Sequence, residues 1–194
     1  MATTSNLTMS VDDGCASDIR AAALGHRYSI PTVFYWPVEW HSLAVIKEYE
    51  PLKYEEALMI SKLHEIGSHT VTHRLLTRIP YGEACAEIAE SRMQLQELFD
   101  VRIKKFCPPR GYINPPLRDF ALTLYDSIRL TRGAGLVHVH PNSGVNGNIP
   151  WRDYARRVKK SGQPVEIWGH SYEWDRFGLW DELEDFIATE MDPS

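Results

Sequence analysis

Short bursts of apolar residues recur along the chain, and their period switches repeatedly between two and about 3.6. Leu7-Thr8-Met9-Ser10-Val11 alternates as a strand does and stops at the turn signal Asp12-Asp13-Gly14. Residues 31–36 are a second β-rich run, closed by Pro37. Over residues 54–66 the apolar positions Ala57, Leu58, Ile60, Leu63 and Ile66 fit one helical stripe, with Gly67 expected as the C-terminal cap. A longer helix is expected over 82–99, with Cys85, Ile88, Ala89, Met93, Leu95 and Leu98 facing inward. Strands are expected at 102–107, 127–131, 136–140 and Val165–Gly169. Further helices are expected from Pro115 to about Tyr125, over Trp151–Lys160 and over 179–191, and the Gly- and Asn-rich run 142–150 reads as a loop.

Strands that alternate with helices build parallel βα units. Six or seven units in 194 residues leave two architectures, an open doubly wound sheet or a small incomplete βα barrel, which periodicity does not separate. No repeat, low-complexity stretch or Ser/Gly linker divides the chain, so 1–194 reads as a single domain. In either architecture, polar residues just past strand ends face the site.

Composition narrows the class. Hydrophobic residues make up 43% and charged residues 24%, the balance of a globular domain, and no apolar run approaches the roughly 18 residues of a spanning helix. A net charge of −5 argues against a nucleic-acid partner, and the run Arg156-Arg157-Val158-Lys159-Lys160 reads as a solvated helix face. Three cysteines (Cys15, Cys85, Cys107) show no disulfide framework and no zinc spacing. Residues 1–5 lack a leader's basic and apolar regions, which gives a cytoplasmic expectation, or an extracellular one if a leader was trimmed. No membrane partner is expected, and the oligomeric state is not legible.

Four strand ends carry chemistry: Asp12-Asp13, His69-Thr70-Val71-Thr72-His73, Pro108-Pro109-Arg110-Gly111 and Gly169-His170. Histidines four apart can share a helix face, and two imidazoles with one carboxylate form a shell that leaves positions open for water. A second carboxylate beside that shell can act as a base, and a third histidine as an acid. Zinc is the default for such donors, and cobalt, nickel or iron fits the same shell.

These segments resemble the polysaccharide deacetylases of the NodB-homology type, carbohydrate esterase family 4. The family's T-F-D-D-G is matched by Ser10-Val11-Asp12-Asp13-Gly14, and its H-S/T-x-x-H by His69 to His73. Its R-x-P-x-G is partly matched by Cys107-Pro108-Pro109-Arg110-Gly111, and its apolar residue two before a histidine by Trp168-Gly169-His170. The resemblance implies an α/β fold, an incomplete or distorted (β/α) barrel, and metal-dependent removal of N-acetyl groups from amino sugars, free or polymeric. It implies Asp12 as base, His170 as acid, and Asp13, His69 and His73 as ligands of one divalent metal. Trp168 would line the acetyl pocket, and the Arg110 backbone N–H would stabilise the oxyanion.

Two departures shape the expectations. Cys107 stands where the family's third motif has an arginine that contacts the catalytic aspartate, so either the metal and burial set the charge of Asp12 or Arg110 or Arg132 supplies the missing cation. The fourth motif is absent in clear form: Trp151-Arg152-Asp153 lies in its interval, and Glu173 and Asp175 either orient His170 instead or lie in a solvated turn. His138 and His140 share one face of a strand and either join the site or sit half exposed. Trp36 and Trp40 either stack on sugar or pack in the core. Two other functions stay open: a hydrolase of small cyclic amides or ureides on the same fold, and a carbohydrate-binding relative that has lost turnover.

Overall fold

The structure is a computed structural model that describes residues 7–43 and 49–191; residues 1–5, on which the leader reading rests, lie outside them. Among the described residues seven parallel strands form one sheet, β1 (Leu7–Asp12), β2 (Thr32–Trp36), β3 (Glu65–Ser68), β4 (Lys105–Phe106), β5 (Ser127–Ile128), β6 (Leu136–His138) and β7 (Val165–Gly169). Their order across the sheet is β5-β4-β3-β2-β1-β7-β6. The sheet curls into a half-barrel, the second of the two architectures, with the short strands β5 and β6 as unjoined edges. Among the described residues seven α-helices connect and cover it: α1 (Asp18–Arg27), α2 (Tyr54–Ser61), α3 (Tyr81–Phe99), α4 (Pro115–Leu124), α5 (Trp151–Lys160), α6 (Ser171–Arg176) and α7 (Trp180–Met191). None of the helices described is long and apolar enough to cross a membrane.

Strand alternation decides which side chains meet the helices and which the bore. Met9 and Val11, Phe34 and Ile66 are fully or almost fully buried in the main core between sheet and helices. Each such burial contributes about 1.5–3 kcal/mol. Ser10 and Asp12 point the other way, with Asp12 opposite Tyr35 in the register of β1 and β2. On that inner side Val33, Tyr35 and Cys107 form a separate small cluster. Trp36 and Trp40 belong to the main core, 0% and 4% exposed, so they are packing residues and not a sugar wall.

Local chemistry sets the helix ends. The Asn114 side chain accepts from Leu117 N at 3.1 Å ahead of Pro115 and Pro116, and Glu56 accepts from Lys53 N at 3.0 Å at the start of α2. α2 ends at Ser61, short of the expected 66, and residues 65–68 are a strand. Leu63, expected inward on the helical stripe, is 61% exposed, whereas Ile66 packs in the core as a strand residue. Gly67 is no helix cap: a Cβ there would come within 2.4 Å of the Tyr35 ring, so β3 needs glycine for close strand packing. Met93, also expected inward, is exposed on α3. The strands expected at 102–107, 127–131 and 136–140 are cut to two or three residues. Residues 171–176 form the short helix α6.

Candidate active site

The strand ladder carries the site residues past the strand ends. Asp13 N donates to Tyr35 O at 3.1 Å, His69 N to Trp36 O at 3.0 Å, Cys107 N to Ser68 O at 2.9 Å and Arg129 N to Phe106 O at 2.8 Å. Side chains from β1, β3, β4 and β5 are thereby fixed at one end of the half-barrel, around a cavity of about 460 Å³. Asp12, Asp13, His69, His73, Trp168 and His170 all line it, so the structure brings the expected residues together. The exposed Arg110 lines it too, with φ +59° inside the turn that follows Pro108.

Asp13 is the centre of the cluster. Its Oδ1 lies 3.5 Å from His69 Nε2 and 3.3 Å from His73 Nε2, and its Oδ2 lies 3.7 Å from His170 Nε2. Ligating atoms of Asp13, His69 and His73 lie within 4.8 Å of one another. The backbone at Asp13 is left-handed, φ +83°, and at Gly14 φ is +79°, where a Cβ would come within 2.8 Å of the Trp40 side chain. The two histidines are not on a helix: residues 69–73 are a loop with φ +71° at Thr70 and +59° at His73. Glu87, buried on α3, holds that loop by accepting from Val71 N and Thr72 N, both at 2.9 Å, and from the Thr72 hydroxyl.

The donor set fits a divalent cation. His69 Nδ1 donates to Cys107 O at 2.6 Å, which fixes the tautomer with Nε2 free for a ligand bond. Burial, then the neighbouring His73, pushes the His69 pKa down to about 4, so the ring is neutral at physiological pH. Asp13 Oδ1 is buried with no hydrogen-bond partner, an arrangement that costs about 1–3 kcal/mol or more unless a donor or cation completes it.

The charge beside Asp12 comes from neither Arg110 nor Arg132, both exposed. It comes from Arg129, just past the end of the edge strand β5, whose Nη2 forms a buried ion pair with Asp12 Oδ1. The guanidinium lies between two aromatic faces, its Cζ 4.9 Å from the Tyr35 centroid and 4.8 Å from that of Trp168. Burial alone would raise the Asp12 pKa, but Arg129, with His69 and His170 after it, holds it below the ordinary carboxylate value. Cys107 is fully buried and burial pushes its thiol pKa well up, so it is a packing residue. The sequence signal for Arg129 was an arginine one strand position from Ile128, on the opposite face.

At the end of β7, His170 Nδ1 lies 2.8 Å from Glu173 Oε2. Burial opposes protonation of this ring, but the Glu173 hydrogen bond and then the Asp13 charge outweigh it and raise its pKa to about 9. Glu173 is therefore the orienting carboxylate. Asp175 turns away, accepting from Ser17 Oγ and from Trp180 Nε1. Asp153 pairs with Arg156 on the exposed face of α5 and lies outside the site. His138 stacks under Trp168 with centroids 4.1 Å apart.

Residues 4–124, well over half of the chain, match the family profile described as polysaccharide deacetylase. The chain belongs to the polysaccharide deacetylase family. A search of curated proteins finds no match. Among solved structures this deacetylase-family chain is similar to a family 4 carbohydrate esterase pseudoenzyme from Bacillus anthracis, at 15% identity and TM-score 0.68, covering 98% of this chain and 62% of that one. It thus spans less than two thirds of that protein's length. It is also similar to a peptidoglycan deacetylase from Bacillus subtilis, at 20% identity and TM-score 0.63, covering 96% of this chain and 83% of that one. A third neighbour is a family 4 carbohydrate esterase from Streptomyces lividans, solved with acetate, at 14% identity and TM-score 0.68, with 98% and 91% covered. At these identities the likeness establishes the fold, the incomplete NodB-type barrel.

Proposed function

We propose that this chain is a metal-dependent hydrolase that removes N-acetyl groups from N-acetylated amino sugars in oligo- or polysaccharides. The observation that carries this reading is the convergence at Asp13. Its unpartnered Oδ1 faces two free imidazole Nε2 atoms, with a second carboxylate, Asp12, held ionised next to it by Arg129. A carbohydrate-binding relative has no need of that pairing, which is why turnover is the preferred reading.

Asp13, His69 and His73 would hold the cation, with zinc the default for two nitrogens and one carboxylate. When bound, such a cation supplies Lewis acidity that polarises an amide carbonyl and lowers the pKa of water from about 15.7 towards about 7. Asp12, kept deprotonated by Arg129, takes the proton of the attacking water. The Arg110 backbone N–H donates to the developing oxyanion, and Trp168 packs against the acetyl methyl. His170 holds a proton on Nε2, the nitrogen that faces the cluster, and delivers it to the leaving amine while Glu173 fixes the ring through Nδ1.

The test is acetate release from N-acetylglucosamine oligomers and peptidoglycan fragments by the metal-loaded chain. Acetate release is expected. Ring opening of cyclic amides or ureides without acetate would replace this reading with the amidohydrolase one, and binding of the oligomers without turnover would replace it with the pseudoenzyme one.

A further inference from the structure

A second group of metal-type donors converges beside the first. Glu173 Oε2 lies 2.8 Å from His170 Nδ1 and 3.6 Å from His138 Nε2, and ligating atoms of the three residues lie within 4.8 Å of one another. His138 is firmly placed. Its backbone N–H donates to Asn146 Oδ1 at 3.1 Å, Asn146 Nδ2 donates back to the His138 carbonyl at 2.8 Å, and its ring stacks on Trp168. Its Nδ1 lies 2.8 Å from Ser143 Oγ, which leaves Nε2 buried without a hydrogen-bond partner. That nitrogen faces the Glu173 carboxylate at 3.6 Å, beyond hydrogen-bond reach, a separation that a cation held between them would bridge.

We propose that His138 Nε2, His170 Nδ1 and Glu173 Oε2 form a second, weaker site for a divalent transition metal on the flank of the Asp13 cluster. Two imidazole nitrogens and one carboxylate favour zinc, cobalt, nickel or copper over magnesium or calcium, which take all-oxygen shells. The site is weaker than the first because its carboxylate is already satisfied. The cation must break the His170–Glu173 hydrogen bond and displace the Nδ1 proton, so one proton leaves per cation bound. Asp13 Oδ1, with no bond to break, binds first. One consequence rests on the deacetylase reading: a cation on Nδ1 discharges the acid, so excess metal inhibits turnover.

Equilibrium dialysis of the full metal-stripped chain against cobalt(II), read by elemental mass spectrometry and by the cobalt absorption bands, tests the site. The wild type should take up two cations per chain, the second with at least tenfold weaker affinity. His138→Phe, which keeps a ring against Trp168, should take up one. Asp13→Ala should lose the tight cation and keep the weak one. Should His138→Phe fail to fold, Glu173→Gln should likewise take up one. Saturation of the wild type at one cation, or two cations bound by a folded His138→Phe, would overturn the proposal. Failure to release acetate from any substrate would sink the deacetylase reading and leave this stoichiometry standing.

Discussion

The two sides of the cleft are assembled differently. On the β1–β3 side, Asp12, Asp13, His69 and His73 come from two contiguous motifs; ladder bonds to the adjacent strand fix Asp13 and His69, and His73 sits in the loop that Glu87 holds. On the β5–β7 side, the supporting charges have changed position. Arg129 reaches Asp12 across 117 positions of sequence, and Glu173 steadies His170 from within α6. The contrast shows which parts of such a site are exchangeable. A ligand or a base must occupy one point at one angle, so its motif is fixed. A counter-charge only has to reach a carboxylate, and neighbouring strand ends such as those of β4 and β5 offer equivalent starting points, so Cys107 can sit where an arginine is expected.

The sharpest way to break the first side is Asp13→Ala. It removes the group shared by His69 and His73, and the expected outcome is loss of the tight cation and of measurable acetate release. A metal analysis that finds the tight cation unchanged would refute the shell. On the other side, Arg129→Met leaves Asp12 charged and unpaired in a buried position, which costs about 3–5 kcal/mol in urea unfolding. The pair also has a pH signature. Asp12's folded pKa is below its unfolded value of 3.8, so its stabilisation is present above that value and lost as pH falls through the folded pKa. Arg129→Met should abolish this acid-side loss.

A smaller effect is expected for Glu173→Gln. The His170 pKa should fall from about 9 towards the ordinary 6.5, so the alkaline limb of the rate profile moves to lower pH and the rate at pH 8 drops about tenfold. An unchanged alkaline limb would remove Glu173 from its orienting role. The smallest effect is expected at Asp18, buried under α6, where it accepts from Trp36 Nε1 at 2.8 Å and Ser171 Oγ at 2.5 Å. Burial raises its pKa from 3.8 to about 7 despite those bonds, so the wild type loses stability as pH rises between the two values. Asp18→Asn can accept from Trp36 and donate to Ser171, and its Tm should exceed the wild type's by about 2–4 °C at pH 8, with the gap closing at pH 4.

The same contrast describes what the sequence disclosed. β1, β2 and β7, the helices α3 to α5 and all the motif residues were legible because each is specified by a local pattern. β3 was hidden because Ile60, Leu63 and Ile66 satisfy a helical spacing, and only the Tyr35 ring against Gly67 explains the glycine. Arg129 and Glu87 were hidden because their partners lie 117 and about 15 positions away, on other elements. Asp12 was legible as a site residue, but its buried partner Arg129 was not.

The most direct test of the account is acetate release by Asp12→Asn carrying its full complement of tight cation. The account predicts a cation content equal to the wild type's and a rate lowered about 10²–10⁴-fold, the range for loss of a positioned base. A near-normal rate at full cation content would contradict it and pass the base role to another group.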